Sequence, residues 1–274
     1  MLNATPPLAP ASYTELPLGP LDAEKIEAVW RYDPADARQQ RVLPDGRVDL
    51  VAHCAVRPGG GVTSVWPVIA GPADQPALVA LRPGTVVMGL RFHIGWGGAC
   101  LGIEPGALRN RTLTGVEVEQ TLGPSLSPLL GADTLPVVES ALRSVASALA
   151  ARACVTAAHR RALEAIDRMK WRLAGQLPSP GCPTAPAAAA PASRTLRRDM
   201  VTVAGLPLRT LAGILRFQQA MVLLGAQGAS LCDVALVSGY TDQAHMTRAF
   251  RRFGGFTPAV PQSVPLVRLD ARSP

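Results

Sequence analysis

Residues 230–258 read SLCDVALVSGYTDQAHMTRAFRRFGGFTP, and this stretch decides the fold of the C-terminal part of the chain. Ser230 is a good helix N-cap, and Leu231, Val234 and Ala235 behind it share one face of a helix. Gly239 then permits a tight turn. Asp242 is a second N-cap, and Met246, Ala249, Phe250 and Phe253 follow at helical spacing, so their stripe must face the rest of the domain. At about 100° per residue, the opposite side carries Ala244, Arg248 and Arg251, flanked by His245, Thr247 and Arg252, with Gln243 at the start. That arrangement suits the DNA major groove. Arg can fork onto guanine O6 and N7, Ala can pack on a thymine methyl, and Thr or the helix N-terminus can hold phosphate. The spacing alone equally fits an ordinary solvated basic face.

Charge around this stretch is uneven. Of the formal net charge of +7, none resides in residues 1–125, which carry 10 basic and 12 acidic side chains, whereas 137–175 carry 7 and 3 and 191–262 carry 8 and 3. Positive potential therefore belongs to the C-terminal half, as a polyanion partner requires. Of the 27 basic residues 25 are Arg, whose guanidinium matches phosphate and guanine geometry; a high-GC genome explains that richness as well, but not the segregation. At 274 residues and 48% hydrophobic the chain can build two cores, and with 4% aromatic residues, 26 Pro and 25 Gly it must rely on Leu, Val and Ala and form many loops.

The run from Ala220 through Pro258 resembles the second helix-turn-helix of AraC-type regulators: the D-V-A of the first helix, the S-G-Y turn, the D-Q-A-H start of the recognition helix, T-R-A-F-R-R and the G-F-T-P stop all match. The resemblance implies two three-helix units joined by a long helix, with double-stranded DNA and RNA polymerase as partners. TLAGILRFQQAMVLL, residues 210–224, is similar to the joining helix, and SRTLRRDMVTVAGLPLRTL, residues 193–211, to the first recognition helix and the turn after it. The chain departs from the family in the first unit. Pro183, Pro186 and Pro191 stand where the family has a well-formed helix, Asp199 where an apolar or basic residue is usual, and Val201 and Thr202 where charged ones are common. The first unit is thus expected to be degenerate, with Arg194, Arg197 and Arg198 gripping phosphate while residues 242–253 read bases. Past Thr257-Pro258, Ala259, Val260 and Pro261 replace the family's aromatic and basic residues, which predicts a frayed or missing last helix.

From Tyr13 to about Val118 short β-prone runs alternate with turn signals: RVLPDGRVDLVAH (41–53), VTSVWPVIAG (62–71) and ALVALRPGTVVMGLRF (77–92). Asp45-Gly46 and Pro83-Gly84 fall between them as hairpin or tight-turn pairs. The reading is a mainly β domain, barrel-like or sandwich, with a short helix at about Leu108 to Leu113. This part is similar to sensor domains fused to AraC-type regulators, through RVLPDGRVDLVAH and VVMGLRFHIGWGGACLGIEPGALRNRTL (86–113), but His93-Ile94-Gly95 stands where they tend to have R-P-G. A small-molecule effector there would meet His53, Trp66, Arg91, His93 or Trp96, since one aromatic and one cation often define such a site; each also has a plain structural reading.

LGPSLSPLLGADTLP, residues 122–136, has the Gly and Pro density of a boundary or loop, and Leu142, Val145, Leu149, Ala162, Leu163, Ile166 and Met169 mark an interdomain or dimerising helical region. The expected organisation is α+β: residues 1–125 a β sensor, effector or dimerisation domain; 126–175 a helical linker and the start of the DNA-binding domain; 176–192 a Pro/Ala-rich loop; 193–262 the AraC-type DNA-binding domain; 263–274 a flexible tail. A homodimer is compatible with it.

No G-x-S-x-G, Walker, H-E-x-x-H or dinucleotide signature occurs, so no catalytic residue, cofactor or enzyme activity is expected. Asp45 and Asp49 could pair as carboxylates, but a turn Asp and a salt-bridged strand Asp explain them better. His53 and Cys54 are neighbours on a strand and face opposite sides. The five dispersed Cys lack zinc spacing and suit free thiols in a reducing cytoplasm, without a metal. The N-terminus has no signal-peptide pattern, and five prolines within 173–193 exclude a spanning helix, so no membrane is expected. The alternative is a regulator acting through protein contacts with weak or nonspecific DNA binding, which salt-dependent retention on heparin would discriminate.

Overall fold

The computed structural model describes residues 12–34, 39–173, 194–225 and 230–259. The Pro/Ala-rich stretch 176–192, the tail 263–274 and any helix after Ala259 lie outside them.

Among the described residues eight strands form the N-terminal part: β1 (Ser12–Leu16), β2 (Ile26–Asp33), β3 (Gln39–Val42), β4 (Asp49–Val56), β5 (Val62–Ala70), β6 (Ala77–Ala80), β7 (Thr85–Phe92) and β8 (Thr112–Thr114). Six of them make one antiparallel sheet in the order β1-β2-β7-β4-β5-β8, and β3 pairs with β6 as a separate two-stranded ribbon. The turns at Gly46 and Gly84 therefore carry the chain between ribbon and sheet rather than closing hairpins.

Period-two alternation gives the sheet two different faces. Leu50, Ala52 and Cys54 of β4 and Met88, Leu90 and Phe92 of β7 pack with α4 (Leu135–Arg152) through Val138, Leu142, Val145 and Leu149. Between sheet and α4 come α1 (Gly97–Leu101), α2 (Val116–Leu122) and α3 (Ser127–Leu130). The stretch 122–136 is not the loop or boundary expected from its Gly and Pro content. Its Leu122, Leu126 and Leu129 are buried in this same core, and proline at the first turns is compatible with short helices. Nor does a helix span 108–113: a 3-10 turn occupies Pro105–Leu108, Asn110 adopts φ 55, and Thr112–Thr114 pairs with Val68–Ala70 as an edge strand.

The helical half builds two further cores. α5 (Ala157–Leu173), α6 (Arg194–Ala204) and the first part of α7 (Leu208–Leu224) bury Ala162, Ile166, Met200, Val203 and Leu211 together. The second part of α7 joins α8 (Leu231–Val237) and α9 (Gln243–Phe253) around Phe217, Val234, Met246, Phe250 and Phe253. One long helix thus serves two units, so neither can rotate without disturbing the other. Among the described residues no single helix is long and apolar enough to cross a membrane.

Candidate nucleic-acid interface and ligand cavity

The second unit has the helix-turn-helix geometry that its sequence specifies. Ser230 caps α8 by accepting from the Asp233 N–H at 3.1 Å, and Gly239 turns the chain at φ 74. Asp242 caps α9, accepting from the His245 N–H at 2.6 Å. Met246, Phe250 and Phe253 are buried, and the Phe250 ring stands edge-on to Phe217 with centroids 4.9 Å apart. This aromatic wedge fixes the rotation of α9 about its axis and leaves Gln243, Ala244, Arg248, Arg251 and Arg252 exposed on the other side.

The exposed residues are not equally available. Gln243 Oε1 lies 3.6 Å from Cys232 Sγ, His245 Nδ1 lies 3.0 Å from Thr241 Oγ1, and Thr247 Oγ1 donates back to the Gln243 carbonyl at 2.9 Å. His245 also meets the Tyr240 ring edge-on at 5.2 Å. Arg252 reaches the β domain, with its Nη2 at 3.3 Å from Asp74 Oδ2. Among the described residues no side-chain hydrogen bond or ion pair engages Arg248 or Arg251, so these two guanidinium groups have free forks.

α6 presents Arg194, Arg197 and Arg198 to solvent in the same way. Asp199, the residue out of keeping with the family pattern, is buried and accepts from Arg161 Nε of α5 at 2.8 Å. A carboxylate at this site is thus matched by a cation on the neighbouring helix, and α6 forms its full length.

Both α6 and α9 end against the β domain. The end of α6, at Val201 and Gly205, rests on Gly106, Pro105 and Pro72. Beyond α9, the Gly254 carbonyl accepts from Arg41 Nη1 of the ribbon at 2.8 Å, and Gln218 of α7 donates to the Pro44 carbonyl at 3.2 Å. Asp74 also binds Arg109 and Asn110; burial alone would raise its carboxyl, and the bonds from Arg109, Asn110 and Arg252 outweigh this and hold it below the usual range.

The sheet face away from α4 is covered by the β3–β6 ribbon, which leaves a cavity of about 710 Å³. Cross-strand register lays out its floor in rows. Asp49 of β4 faces Arg91 of β7, and the next row places Trp30, Gly89, Val51 and Val68 side by side. The following row holds Tyr32, Val87 and His53. Trp30 can lie across the sheet because position 89 lacks a Cβ, which would sit 2.2 Å from the indole.

Arg91, 3% exposed, is the centre of a charged group at one end. Its Nη1 donates to Tyr13 Oη at 3.2 Å, while its Nε stands 3.7 Å from Asp45 Oδ2 and 3.6 Å from Asp49 Oδ2. Glu15 lies 3.6 Å from Arg91 Nη1, and Arg47 is bound two-pronged to Glu27. Burial pushes the Asp49 carboxyl up to about 7, with Asp45 adding to the rise and Arg91 opposing it. Burial lowers His53 and raises the Tyr13 hydroxyl.

Of the five residues singled out for a ligand, His53 and Arg91 line this cavity and Trp66, His93 and Trp96 do not. Trp66 ends the His53 row and is 46% exposed, Trp96 is packed against His159 in the helical layer, and His93 stands 3.6 Å from Glu27. Trp30 and Tyr32 escaped the sequence reading, although Ala28, Trp30 and Tyr32 alternate along β2 in the pattern of a strand face. Among the described residues no group of three or more His, Cys, Asp or Glu is placed to hold a metal ion.

A helix-turn-helix domain matches residues 187–261, and a domain of unknown function, DUF6597, matches residues 16–114. The C-terminal match is a helix-turn-helix domain of the AraC type, and it stands behind a DUF6597 domain in this chain. No curated protein matches the chain. Among solved structures it is similar to apo ToxT from Vibrio cholerae strain SCE256, a lysine-to-alanine variant, at 13% identity over 90% of this chain and 94% of that one, TM-score 0.36. Wild-type ToxT from the same strain with an unsaturated fatty acid bound aligns at 11% identity over 90% and 92%, TM-score 0.35. ToxT from strain O395 aligns at 11% identity over 84% and 94%, TM-score 0.34.

Proposed function

We propose that the protein is a sequence-specific DNA-binding transcription regulator that reads the major groove with α9 and is controlled by a small molecule in the cavity under the ribbon. The observation that carries the first part is the pair Arg248 and Arg251, exposed and unengaged on a helix whose rotation is fixed by buried Phe250 and Phe253. A forked donor on a rigid helix is what base reading needs, whereas a mobile one supplies only charge. Arg194, Arg197 and Arg198 of α6 add phosphate contacts, and Arg252 joins them when it leaves Asp74.

Coupling to a ligand runs through the ribbon. Leu43 lines the cavity and packs against the core that holds Phe250, while Arg41 and Pro44 on either side bind Gly254 and Gln218. A molecule that moves this wall shifts contacts at the end of α9, which is the differential interaction that allosteric control requires. Contact with RNA polymerase, and pairing of two copies on one operator, belong to the same reading of the class. A second reading, action through protein contacts, draws on Val222, Leu236 and Val237, which are apolar and exposed on the second unit.

Selection of bound sequences from a random DNA pool with purified protein separates these. A defined enriched motif is expected. A pool that stays random would move the protein to nonspecific or partner-mediated action. Its length shows whether α6 reads bases: a motif confined to one half-site leaves α6 to the phosphates.

A further inference from the structure

We infer that the cavity under the β3–β6 ribbon is a receptor for an organic cation: an amine on an apolar or aromatic body, its ammonium against Asp49 and Asp45 and its body against Tyr13, Trp30 and Tyr32. This deepens the ligand-control reading above and rests on it.

The charge around Arg91 is what selects the ligand. Asp45 and Asp49 both line the cavity, and both look to the Nε side of one guanidinium, Arg91, at 3.7 Å and 3.6 Å. One guanidinium neutralises one carboxylate, so this pair of acids keeps one negative charge over. Arg47 does not supply the missing cation, since its fork is taken by Glu27, which His93 also approaches at 3.6 Å; Arg111 lines the cavity too, but among the described residues no ion pair joins it to either acid. The geometry is also short of hydrogen bonds. Among the described residues no donor stands within bonding distance of buried Asp49 Oδ1, and Arg91 Nε stops short of both acids at 3.7 Å and 3.6 Å. Buried carboxylates without donors are costly and are relieved by a proton or by a bound donor cation. The raised proton affinity of Asp49 reports the same deficit.

The rest of the cavity suits the body of such a ligand. Tyr13 and Trp30 lie with ring centroids 6.0 Å apart at 32°, beside the charged end, and Tyr32 follows one row on. Aromatic faces attract an ammonium and pack an apolar chain or ring, so both parts of an amine find partners. A carboxylate ligand would instead bring a further negative charge to a guanidinium already shared between two acids. The volume of about 710 Å³ lies within the range of small-molecule pockets.

The test uses matched pairs on the full-length protein: phenethylamine and tryptamine against hydrocinnamate and indolepropionate, read by calorimetric titration and by thermal melting, with no DNA present. The amines are expected to bind at least about tenfold tighter than the acids of the same shape. Asp49→Asn is expected to abolish that preference. Thermal melting of Asp49→Asn alone tells whether it folds, and Asp45→Asn, which should weaken amine binding in the same direction, serves if it does not. Binding of neither class, equal binding of both, or tighter binding of the acids overturns the assignment. Because the readout is independent of DNA, acids that bind and change operator affinity would remove the cation class and leave ligand control standing. A pool selection without enrichment would remove the regulator reading and leave the cation site standing.

Discussion

Helices α6 and α9 expose guanidinium groups in the same way and differ in what holds them. α9 is capped by its own Asp242 and buries two phenylalanines against Phe217. α6 buries Met200, Val203 and Ala204 and is held in part by the Arg161–Asp199 pair, whose Arg side chain is 48% exposed. An aromatic wedge fixes rotation about the helix axis more firmly than a small aliphatic stripe and one ion pair that water screens. Reading a base edge demands that rotation, and holding a phosphate does not. The contrast supports the proposal that α9 reads bases and α6 grips the backbone, although each carries a row of Arg.

The largest break in this comparison comes from the wedge. Phe250→Ala deletes a fully buried ring and should cost about 3–5 kcal/mol, abolishing DNA binding. Calorimetry is expected to show the helical half destabilised with the β domain still melting cooperatively. A melting curve that matches wild type would mean that the ring is not structural.

Removing the cap is next. Asp242→Ala should cost about 1 kcal/mol and loosen only the first turn of α9, where Ala244 sits, which hydrogen exchange at residues 243–246 can follow. Unchanged exchange there would assign the helix start to packing alone.

Arg197→Ala sharpens the comparison without touching stability. It is expected to weaken binding to every DNA sequence alike and to reduce the slope of log affinity against log salt by about 1. If its loss were concentrated on one preferred sequence, α6 would be reading bases and the two helices would be equals.

The smallest effect concerns the grip of the β domain. Asp74→Ala releases Arg252, half-exposed at 55%, and a surface pair of this kind is worth about 1 kcal/mol or less, so affinity for any DNA should rise by no more than about fivefold. A fall in affinity would instead mean that Asp74, through Arg109 and Asn110, orders the loop on which α9 rests.

How much of this was legible in the sequence follows from distance along the chain. The stripe Met246, Phe250, Phe253 and the caps Ser230 and Asp242 are local signals, and helical periodicity is enough to orient α9. The Asp74–Arg252 contact joins residues 178 apart, and no local rule brings a loop of a β domain to the end of a recognition helix. The burial of Leu122, Leu126 and Leu129 was hidden because proline and glycine punctuate them, yet short helices accept both at their ends. In the cavity, Arg91 was readable as a cation in a β run. Its partners Asp45 and Asp49 were read as a turn residue and a salt-bridged strand residue, and they are both; that they share one guanidinium depends on cross-strand register, which alternation within one strand does not give. The expectation for Trp66, His93 and Trp96 rested on residue type alone, and packing sends each of them elsewhere.

The most direct test of α9 as the base-reading helix is the ratio of nonspecific to specific dissociation constants, measured at one salt concentration for wild type and Arg248→Ala on the selected sequence and on a scrambled one. Loss of a forked contact to a base edge, worth about 1–3 kcal/mol, should lower that ratio by roughly five- to 150-fold while nonspecific binding changes little. An unchanged ratio, with both sequences weakened alike, would contradict it and reduce Arg248 to a phosphate contact.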